Sequence, residues 1–104
     1  MPRPLGLTSL QILAAIRDGS TYGLDIVAAT GLPSGTVYPT LGRLKRATLV
    51  RTHWEDQRSA EKEGRPRRRY YDLTADGARA LAEGSARVAQ AAAVLSAGAG
   101  GVTG

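Results

Sequence analysis

Ten of the fourteen lysine and arginine residues lie between residues 43 and 69, and this cluster is the feature of the sequence that most directly suggests chemistry. Only four acidic residues share the stretch, so its net charge is +6, whereas the rest of the chain is close to neutral. Guanidinium and ammonium groups at this density attract phosphates, which favours nucleic acid as a partner. A solvated basic surface is the alternative, and the elements around the cluster have to distinguish the two.

Catalytic and metal-binding chemistry have little support in these 104 residues. The sequence has no Cys and a single His, which excludes a thiol nucleophile, a Cys-based zinc site and a multi-histidine metal site. It also lacks a nucleophile–His–acid set and a glycine-rich loop between a strand and a helix, so we expect neither enzyme activity nor a cofactor. No apolar run approaches the roughly 18 residues of a membrane span, and no apolar signal core follows the N-terminus. We therefore predict a single-domain cytoplasmic protein without a membrane partner.

Two helices are predicted before the basic cluster. Thr8 is a candidate N-cap for the first helix, and Gly19 suits the left-handed position after its last turn. The second helix is predicted to begin at Ser20 or Thr21 and to end at Gly31. Both are short amphipathic elements that need a common core to be stable.

A third helix is predicted over residues 35 to 47, with Ser34 as its N-cap. Pro39 and Gly42 disfavour a helix selected for stability alone, but both are small and allow another molecule to approach closely. The apolar residues recur at helical spacing and predict one buried stripe, formed by Val37, Leu41 and Leu44.

The basic cluster continues into two alternating segments that predict a hairpin. Residues 49 to 56 and 67 to 73 alternate between apolar and polar side chains, as half-buried strands do. Residues 57 to 66 are polar and contain Gly and Pro, so they are predicted to be a loop whose tip is formed by residues 64 to 67. Trp54 is predicted to be a core or interface residue.

An alanine-rich last helix is predicted from a cap at Thr74 to about residue 97. Its few large apolar residues could cover the core of the same chain, but their seven-residue spacing and small neighbours favour a seam between two copies. The predicted seam residues are Leu81, Val88 and Leu95.

The order helix, helix, helix, basic hairpin, helix is that of a winged helix-turn-helix. We therefore predict a mainly α fold with a small antiparallel β hairpin. The expected organisation is a winged helix-turn-helix DNA-binding domain over residues 1–74, a C-terminal dimerisation helix over 75–97 and a flexible tail over 98–104. The third helix would enter a DNA major groove, and the basic wing would reach phosphates or the adjacent minor groove.

Four segments of the sequence resemble the PadR family of transcriptional regulators. Residues 22–26 (YGLDI) are similar to the Tyr-Gly-Tyr-Glu-Ile segment of that family, and residues 34–44 resemble its recognition helix. Residues 54–55 (WE) and 64–74 resemble its two wing strands. The resemblance covers residues 7 to 83, and its segments follow one another in the family's order, which makes the signal specific.

The resemblance implies a homodimeric bacterial repressor that binds palindromic double-stranded DNA and pairs its subunits through the C-terminal helix. Thr48 stands where family members commonly carry Gly in a left-handed turn, which is costly for a β-branched residue, so the sequence leaves open whether this turn is kept or rebuilt with another angle between helix and wing. By position in the family, the residues expected to face DNA are Ser34, Gly35, Thr36, Tyr38 and Pro39, with Arg43 on the backbone and Arg65, Arg67 and Arg68 in the wing.

Two alternatives accompany this interpretation. A winged helix can serve as a protein-interaction module without specific DNA binding, because a fold does not fix a function. A small-molecule effector between the first and last helices is also conceivable, but no residue indicates one, and the last helix has no aromatic side chain to stack on it.

Overall fold

The computed structural model describes residues 4–102 (for residues 98–102 the backbone only), and this part of the chain contains five α-helices and one two-stranded antiparallel sheet. The mainly α fold with a small hairpin confirms the predicted fold class. Within these residues, no helix combines the length and the hydropathy that crossing a membrane requires. The elements are α1 (Leu7–Arg17), α2 (Gly23–Thr30), α3 (Ser34–Arg46), β1 (Val50–Trp54), α4 (Gln57–Lys62), β2 (Arg69–Leu73) and α5 (Ala75–Val102).

The hydrophobic core lies between the first three helices. Ile12 and Leu13 of α1 and Ile26 of α2 are completely buried. Burial of a side chain of this size contributes about 1.5–3 kcal/mol to the stability of the fold. Helix α3 buries side chains in the same core, which explains why it remains helical despite Pro39 in its second turn. The predicted stripe of α3 is confirmed, because its members are all buried in this core: Val37, Leu41 and Leu44.

The predicted N-caps of α1, α2 and α3 are wrong. Gly6, not Thr8, is the N-cap of α1, and Pro33, not Ser34, is the N-cap of α3. Neither cap uses a side-chain hydrogen bond. The extended backbone of Pro33 instead directs its carbonyl at the amides of Thr36 and Val37, at 2.9 and 3.0 Å. Proline can replace a polar cap here because only its carbonyl is needed.

Helix α2 begins later than predicted because the preceding residues pair with the sheet. Thr21 accepts a hydrogen bond from the amide of Tyr71 at 2.7 Å, and Tyr22 forms an isolated antiparallel bridge with Tyr70. These bonds keep the backbone extended up to Tyr22, which is the N-cap. The predicted end at Gly31 is confirmed, and this residue is left-handed with a φ of 71°.

Thr48 adopts a left-handed conformation, so the turn at this position is kept rather than rebuilt. Its φ is 59°, and among the described residues it is the only non-glycine with a positive φ. The turn is fixed on both sides, because the amide of Leu49 donates to Leu44 at 3.0 Å and the hydroxyl of Thr74 donates to the carbonyl of Thr48 at 2.6 Å. A Cβ in this region costs roughly 1–2 kcal/mol, so the junction between α3 and β1 is held under strain.

Strands β1 and β2 pair from Val50–Leu73 to Trp54–Arg69. The two predicted strands are therefore confirmed, but the predicted loop between them is wrong, since it contains α4. Ala60 is buried and anchors this short helix, whose remaining side chains are exposed. One apolar residue in a polar segment was too weak a periodic signal to indicate a helix.

Helix α5 packs on the core only through its first half. The predicted cap is confirmed, because Thr74 accepts a hydrogen bond from the amide of Gly77 at 3.0 Å. A methyl group on Gly77 would overlap the carbonyl of Leu49, and one on Gly84 would overlap the side chain of Leu10, so both glycines permit close packing. Residues 85–97 are exposed throughout. The helix continues to Val102, beyond the predicted end at residue 97, and residues 103 and 104 of the predicted tail lie outside the described residues.

Candidate nucleic-acid interface

The first half of α3 exposes the residues that the sequence predicts to face DNA. Its buried stripe fixes which side of the helix points outward. Thr36 is partly buried and Tyr38 is 45% exposed. The other predicted contacts of this helix are all exposed, namely Ser34, Gly35, Pro39 and Arg43.

Tyr38 combines packing with exposure. Its ring lies on the backbone of Gly23, the first residue of α2, and a Cβ at that position would overlap the phenol ring. The glycine therefore allows α2 and α3 to approach each other closely. Because the ring is fixed in this way, the exposed part of Tyr38 is presented in one defined orientation.

Arg43 is held against α3 by a short chain of hydrogen bonds. One of its Nη atoms donates to Thr40 Oγ1 at 3.0 Å, and the Thr40 hydroxyl donates to the carbonyl of Thr36 at 2.7 Å. Thr40 is buried, so Arg43 leans along the helix rather than extending freely into solvent. Lys45 and Arg46 are exposed in the last turn of α3 and extend the basic surface beyond the predicted residues.

Residues 50–73, comprising β1, α4 and β2, form the wing. Three of its arginines, at the start of β2 and just before it, stack on aromatic rings. The guanidinium of Arg68 lies 4.0 Å from the centre of the Tyr22 ring. Those of Arg67 and Arg69 lie 5.3 and 4.8 Å from the Trp54 ring. Cation–π contacts of this kind orient a guanidinium while leaving its N–H groups available.

The sequence suggested a core or an interface residue at Trp54, and its exposure contradicts the first of these two roles. It is 52% exposed, because it is the last residue of β1 and pairs with Arg69 beyond the reach of the three-helix core. Val50, at the other end of β1, is buried. Alternation therefore predicts the face of the strand correctly, but it does not tell how far along the strand the core extends.

Arg65 differs from the other wing arginines because its charge is neutralised within the chain. It forms ion pairs with Glu55 at 2.6 Å and with Glu63 at 2.7 Å, and its side chain is 20% exposed. The hydrogen bonds from Arg65 hold the pKa of the Glu55 carboxyl at about 2. The same pair raises the pKa of the Arg65 guanidinium above its usual value. The structure therefore places this predicted contact inside the wing rather than on its outer surface.

A cleft of about 180 Å³ joins α3 to the wing. Tyr38 lines it from α3, whereas Arg68 and Arg69 line it from the wing. Two groups of residues that are far apart in the sequence thus share one surface. The complete lining consists of Tyr22, Gly23, Leu24, Tyr38, Arg68, Arg69 and Tyr71.

The residues predicted for the dimer seam are divided by the structure. Leu81 is only 4% exposed and belongs to the core of its own chain, so it is not available to a partner. Val88 and Leu95 are 44% and 73% exposed. Val88 lines an open apolar groove of about 330 Å³ between α1 and α5, together with Leu7 of α1.

Four residues that support the arginines of the wing were not assigned a function from the sequence. Tyr22 and Trp54 are the aromatic supports of the arginines, Arg69 shares the Trp54 ring, and Glu55 binds Arg65. Trp54 and Arg69 lie within the basic segment, but Tyr22 lies well before it. Tyr22, Trp54 and Glu55 also stand in segments that resemble the PadR family, which was the available signal for them. The partner of Glu55 was not predictable, because Arg65 is ten residues away on the other side of an unpredicted helix.

Comparison with known proteins agrees with this architecture. The model of the transcriptional regulator PadR-like family matches residues 12–83, which is more than half of the chain. The chain belongs to the PadR-like family of transcriptional regulators.

Solved structures of PadR-like regulators share the fold. A PadR family transcription regulator from Clostridium difficile R20291 is 23% identical, with a TM-score of 0.77, and the alignment covers 88% of this chain and 96% of that one. A PadR-like transcription factor from Bacteroides fragilis is 27% identical, with a TM-score of 0.71 and 88% of each chain covered. Among the curated proteins compared with it, none matches the chain.

The PadR-like match has a structural boundary. It includes α3, the wing and the first half of α5, and it ends next to Gly84, the last buried residue among those of this helix whose burial is described. The exposed residues 85–97 follow this boundary and lie outside the family match.

Proposed function

We propose that this PadR-like chain is a homodimeric repressor that binds a palindromic operator through α3 and the wing. The cleft shared by Tyr38, Arg68 and Arg69 is the observation that carries the proposal, because it makes one continuous surface from the two DNA-facing elements. Phosphate contacts would supply most of the affinity, whereas side chains at the start of α3 would read base edges. Occupancy of the operator would block transcription.

The contacts assigned to α3 follow from its exposed side. Ser34, Gly35 and Thr36 form its first turn, where short side chains allow the backbone to approach the floor of a major groove. Tyr38 and Pro39 would contact the adjacent sugar–phosphate backbone, and the remaining contact of this helix, Arg43, would bind a phosphate of the same strand.

The contacts assigned to the wing are Arg67 and Arg68, supported by Arg69. Each stacks on an aromatic ring, which restricts its side chain before DNA is bound and lowers the entropy lost on binding. Arg65 is assigned a different role, because its guanidinium is occupied by Glu55 and Glu63.

The dimer is assigned to the exposed half of α5. Residues 85–97 make up a helical segment in which no side chain is buried, and a helix in water is marginal when little packs on it. Val88 and Leu95 are one heptad apart on this segment, and the apolar groove beside Val88 reaches Leu7 of α1. A second copy packing its α5 here would bury this surface and set the spacing between two recognition helices.

DNA binding is tested by fluorescence anisotropy with the DNA upstream of the gene and a scrambled duplex of the same composition. Tight binding that prefers the upstream fragment and weakens steeply with salt is expected. Equal, weak binding to both duplexes would contradict the proposal and favour a protein-interaction module instead.

Dimerisation is tested by light scattering of Val88→Asp with Leu95→Asp. The two acids should convert the dimer into monomers, and the circular dichroism spectrum should lose no more helical signal than residues 85–97 contribute. Ala86→Asp with Gln90→Asp is the matched control, since these exposed residues lie on the opposite side of the same helical segment. A dimer that survives the first pair of substitutions places the seam elsewhere.

A further inference from the structure

The carboxylate of Glu55 receives four hydrogen bonds within the wing. Arg65 donates to both oxygens, through Nη1 to Oε1 at 2.6 Å and through Nη2 to Oε2 at 2.7 Å. The amide of Arg68 donates to Oε1 and the hydroxyl of Tyr70 to Oε2, each at 3.2 Å. A carboxylate has about four acceptor positions, so Glu55 has no capacity left for an external ligand.

These bonds fix both ends of the segment that carries Arg67. Residues 66–68 belong to neither a helix nor a strand. Arg65 precedes the segment and is tied to Glu55 by its side chain, whereas Arg68 ends it and is tied to the same carboxylate by its amide. The backbone adds one further bond, from the amide of Glu55 to the carbonyl of Arg68 at 2.8 Å.

The same carboxylate reaches the aromatic support of Arg68. Tyr70 packs edge-on against Tyr22 with 6.0 Å between the ring centres, and Tyr22 carries the guanidinium of Arg68. Arg68 is thus connected to Glu55 in two ways. Its amide bonds to the carboxylate directly, and its guanidinium is connected to it through the rings of Tyr22 and Tyr70. The side chain of Glu55 is 8% exposed, so water has little access to these bonds.

We propose that Glu55 is the positioning residue of the wing, which holds Arg67 and Arg68 in their DNA-binding arrangement by tying Arg65, Arg68 and Tyr70 to one carboxylate. The inference rests on the proposed DNA-binding function and adds a role within it. It assigns Arg65 to this internal tie rather than to a phosphate, because a bidentate ion pair with a nearly buried carboxylate is costly to exchange.

The test compares Glu55→Gln with Glu61→Gln. Glu61 lies on α4 of the same wing, is exposed and contacts Gln57, so the two substitutions remove the same charge from the same region. Electrostatics alone predicts that both variants bind DNA at least as well as the wild type, since each becomes more basic. If Glu55 positions the wing, only Glu55→Gln should weaken DNA binding. Its affinity for any duplex should fall roughly tenfold, because Arg67 and Arg68 lose their fixed arrangement.

Trp54 provides a readout that does not need DNA. It is the only tryptophan of the chain, and its ring is covered by Arg67 and Arg69. In Glu55→Gln the segment around Arg67 should detach, so acrylamide should quench the Trp54 fluorescence more strongly than in the wild type. Glu61→Gln should show wild-type quenching. Thermal melts of both variants establish that the helical core remains folded.

A pH titration of the Trp54 fluorescence gives an independent check. Arg65 lowers the pKa of Glu55 to about 2 from 4.5, so the carboxylate favours the folded wing at all pH values above 4.5. This contribution is lost as the pH falls from 4.5 to 2, and the quenching of the wild type should increase over that interval. The step should be missing in Glu55→Gln, whose wing is already released.

The outcomes separate this inference from the proposed function. A wild-type protein that shows no salt-dependent DNA binding overturns the proposed function, while the Trp54 quenching still tests Glu55. If the wild type binds DNA and Glu55→Gln shows both wild-type affinity and wild-type quenching, Glu55 has no positioning role. Loss of folding in Glu55→Gln would be resolved with Arg65→Lys, which keeps the charge but not the bidentate pair and should give the same changes to a smaller degree.

Discussion

Helix α3 and the wing are the two regions assigned to DNA, and they are held in place by different forces. Helix α3 is fixed by apolar packing, since its buried stripe belongs to the central core. Apart from Val50 and Tyr71, the wing has few buried apolar residues. Its outer part is fixed by ion pairs, by cation–π contacts and by the two-stranded sheet. Packing makes α3 rigid, whereas the cation–π contacts of the wing orient Arg67 and Arg68 and leave their N–H groups available to phosphates.

Because of this difference, substitutions in the two regions should change different properties, namely the free energy of unfolding and the affinity for DNA. Substitutions at the buried side of α3 should unfold the protein and thereby abolish every function, so they say little about DNA. Substitutions in the outer wing should change DNA binding with little effect on folding, because surface contacts contribute little to the free energy of unfolding. The following predictions test this separation.

The largest effect is expected from Leu41→Ala. Leu41 is completely buried, and its truncation should lower the free energy of unfolding by about 2–5 kcal/mol. Trp54→Ala removes a larger side chain from the wing but should cost less, because that residue is 52% exposed. Urea denaturation at equal protein concentration measures both. A comparable loss for Trp54→Ala would mean that the outer wing is part of the packed core.

Arg67→Ala with Arg68→Ala should produce the largest loss of DNA binding among folded variants. Affinity for any duplex should fall roughly tenfold to a hundredfold, and the slope of log K against log salt should decrease by about 1.8 if each arginine contacts one phosphate. Arg79→Ala with Arg87→Ala removes the same charge from α5 and is the matched control. An unchanged slope in the wing variant would remove the wing from the interface.

The contrast between α3 and the wing also explains what the sequence could predict. Helix α3 was predictable because Val37, Leu41 and Leu44 recur at helical spacing, and the two strands because their residues alternate. The ion pair between Glu55 and Arg65 could not be predicted, since it depends on α4, a helix between the two residues that the sequence did not indicate. Periodicity indicates that a face is apolar but not what covers it.

Leu81 illustrates this limit at the other end of the molecule. Its heptad spacing with Val88 and Leu95 predicted one seam, but α1 covers Leu81 and leaves the other two exposed. The boundary is set by Gly84, whose missing side chain lets Leu10 approach α5 at its last buried position. Beyond that glycine the same spacing has a different meaning, because the described part of the chain leaves Val88 and Leu95 exposed.

Thr36→Ala should have a smaller effect than loss of the wing arginines but a more selective one. Thr36 lies in the first turn of α3, and loss of a base contact there should weaken operator binding about tenfold while leaving the scrambled duplex nearly unaffected. Tyr38→Phe keeps the ring on Gly23 and removes only the hydroxyl, so it should weaken binding to both duplexes equally. Equal losses for Thr36→Ala would mean that this residue positions the helix and reads no base.

The smallest effect is expected at Thr48, the junction between α3 and the wing. Its φ of 59° costs a β-branched residue roughly 1–2 kcal/mol, whereas glycine adopts it freely at an entropic cost of about 0.5–1 kcal/mol. Thr48→Gly should therefore raise the free energy of unfolding by about 0.5–1 kcal/mol, which thermal denaturation at fixed protein concentration can detect. Thr48→Ala keeps a Cβ in the left-handed region and should give no such gain.

The hydrogen bonds of Leu49 and Thr74 fix the turn through the backbone carbonyls of Leu44 and Thr48. The angle between α3 and the wing should therefore persist in Thr48→Gly, and its DNA affinity should stay at the wild-type value. A gain in stability with a loss of affinity would instead show that the threonine side chain sets that angle.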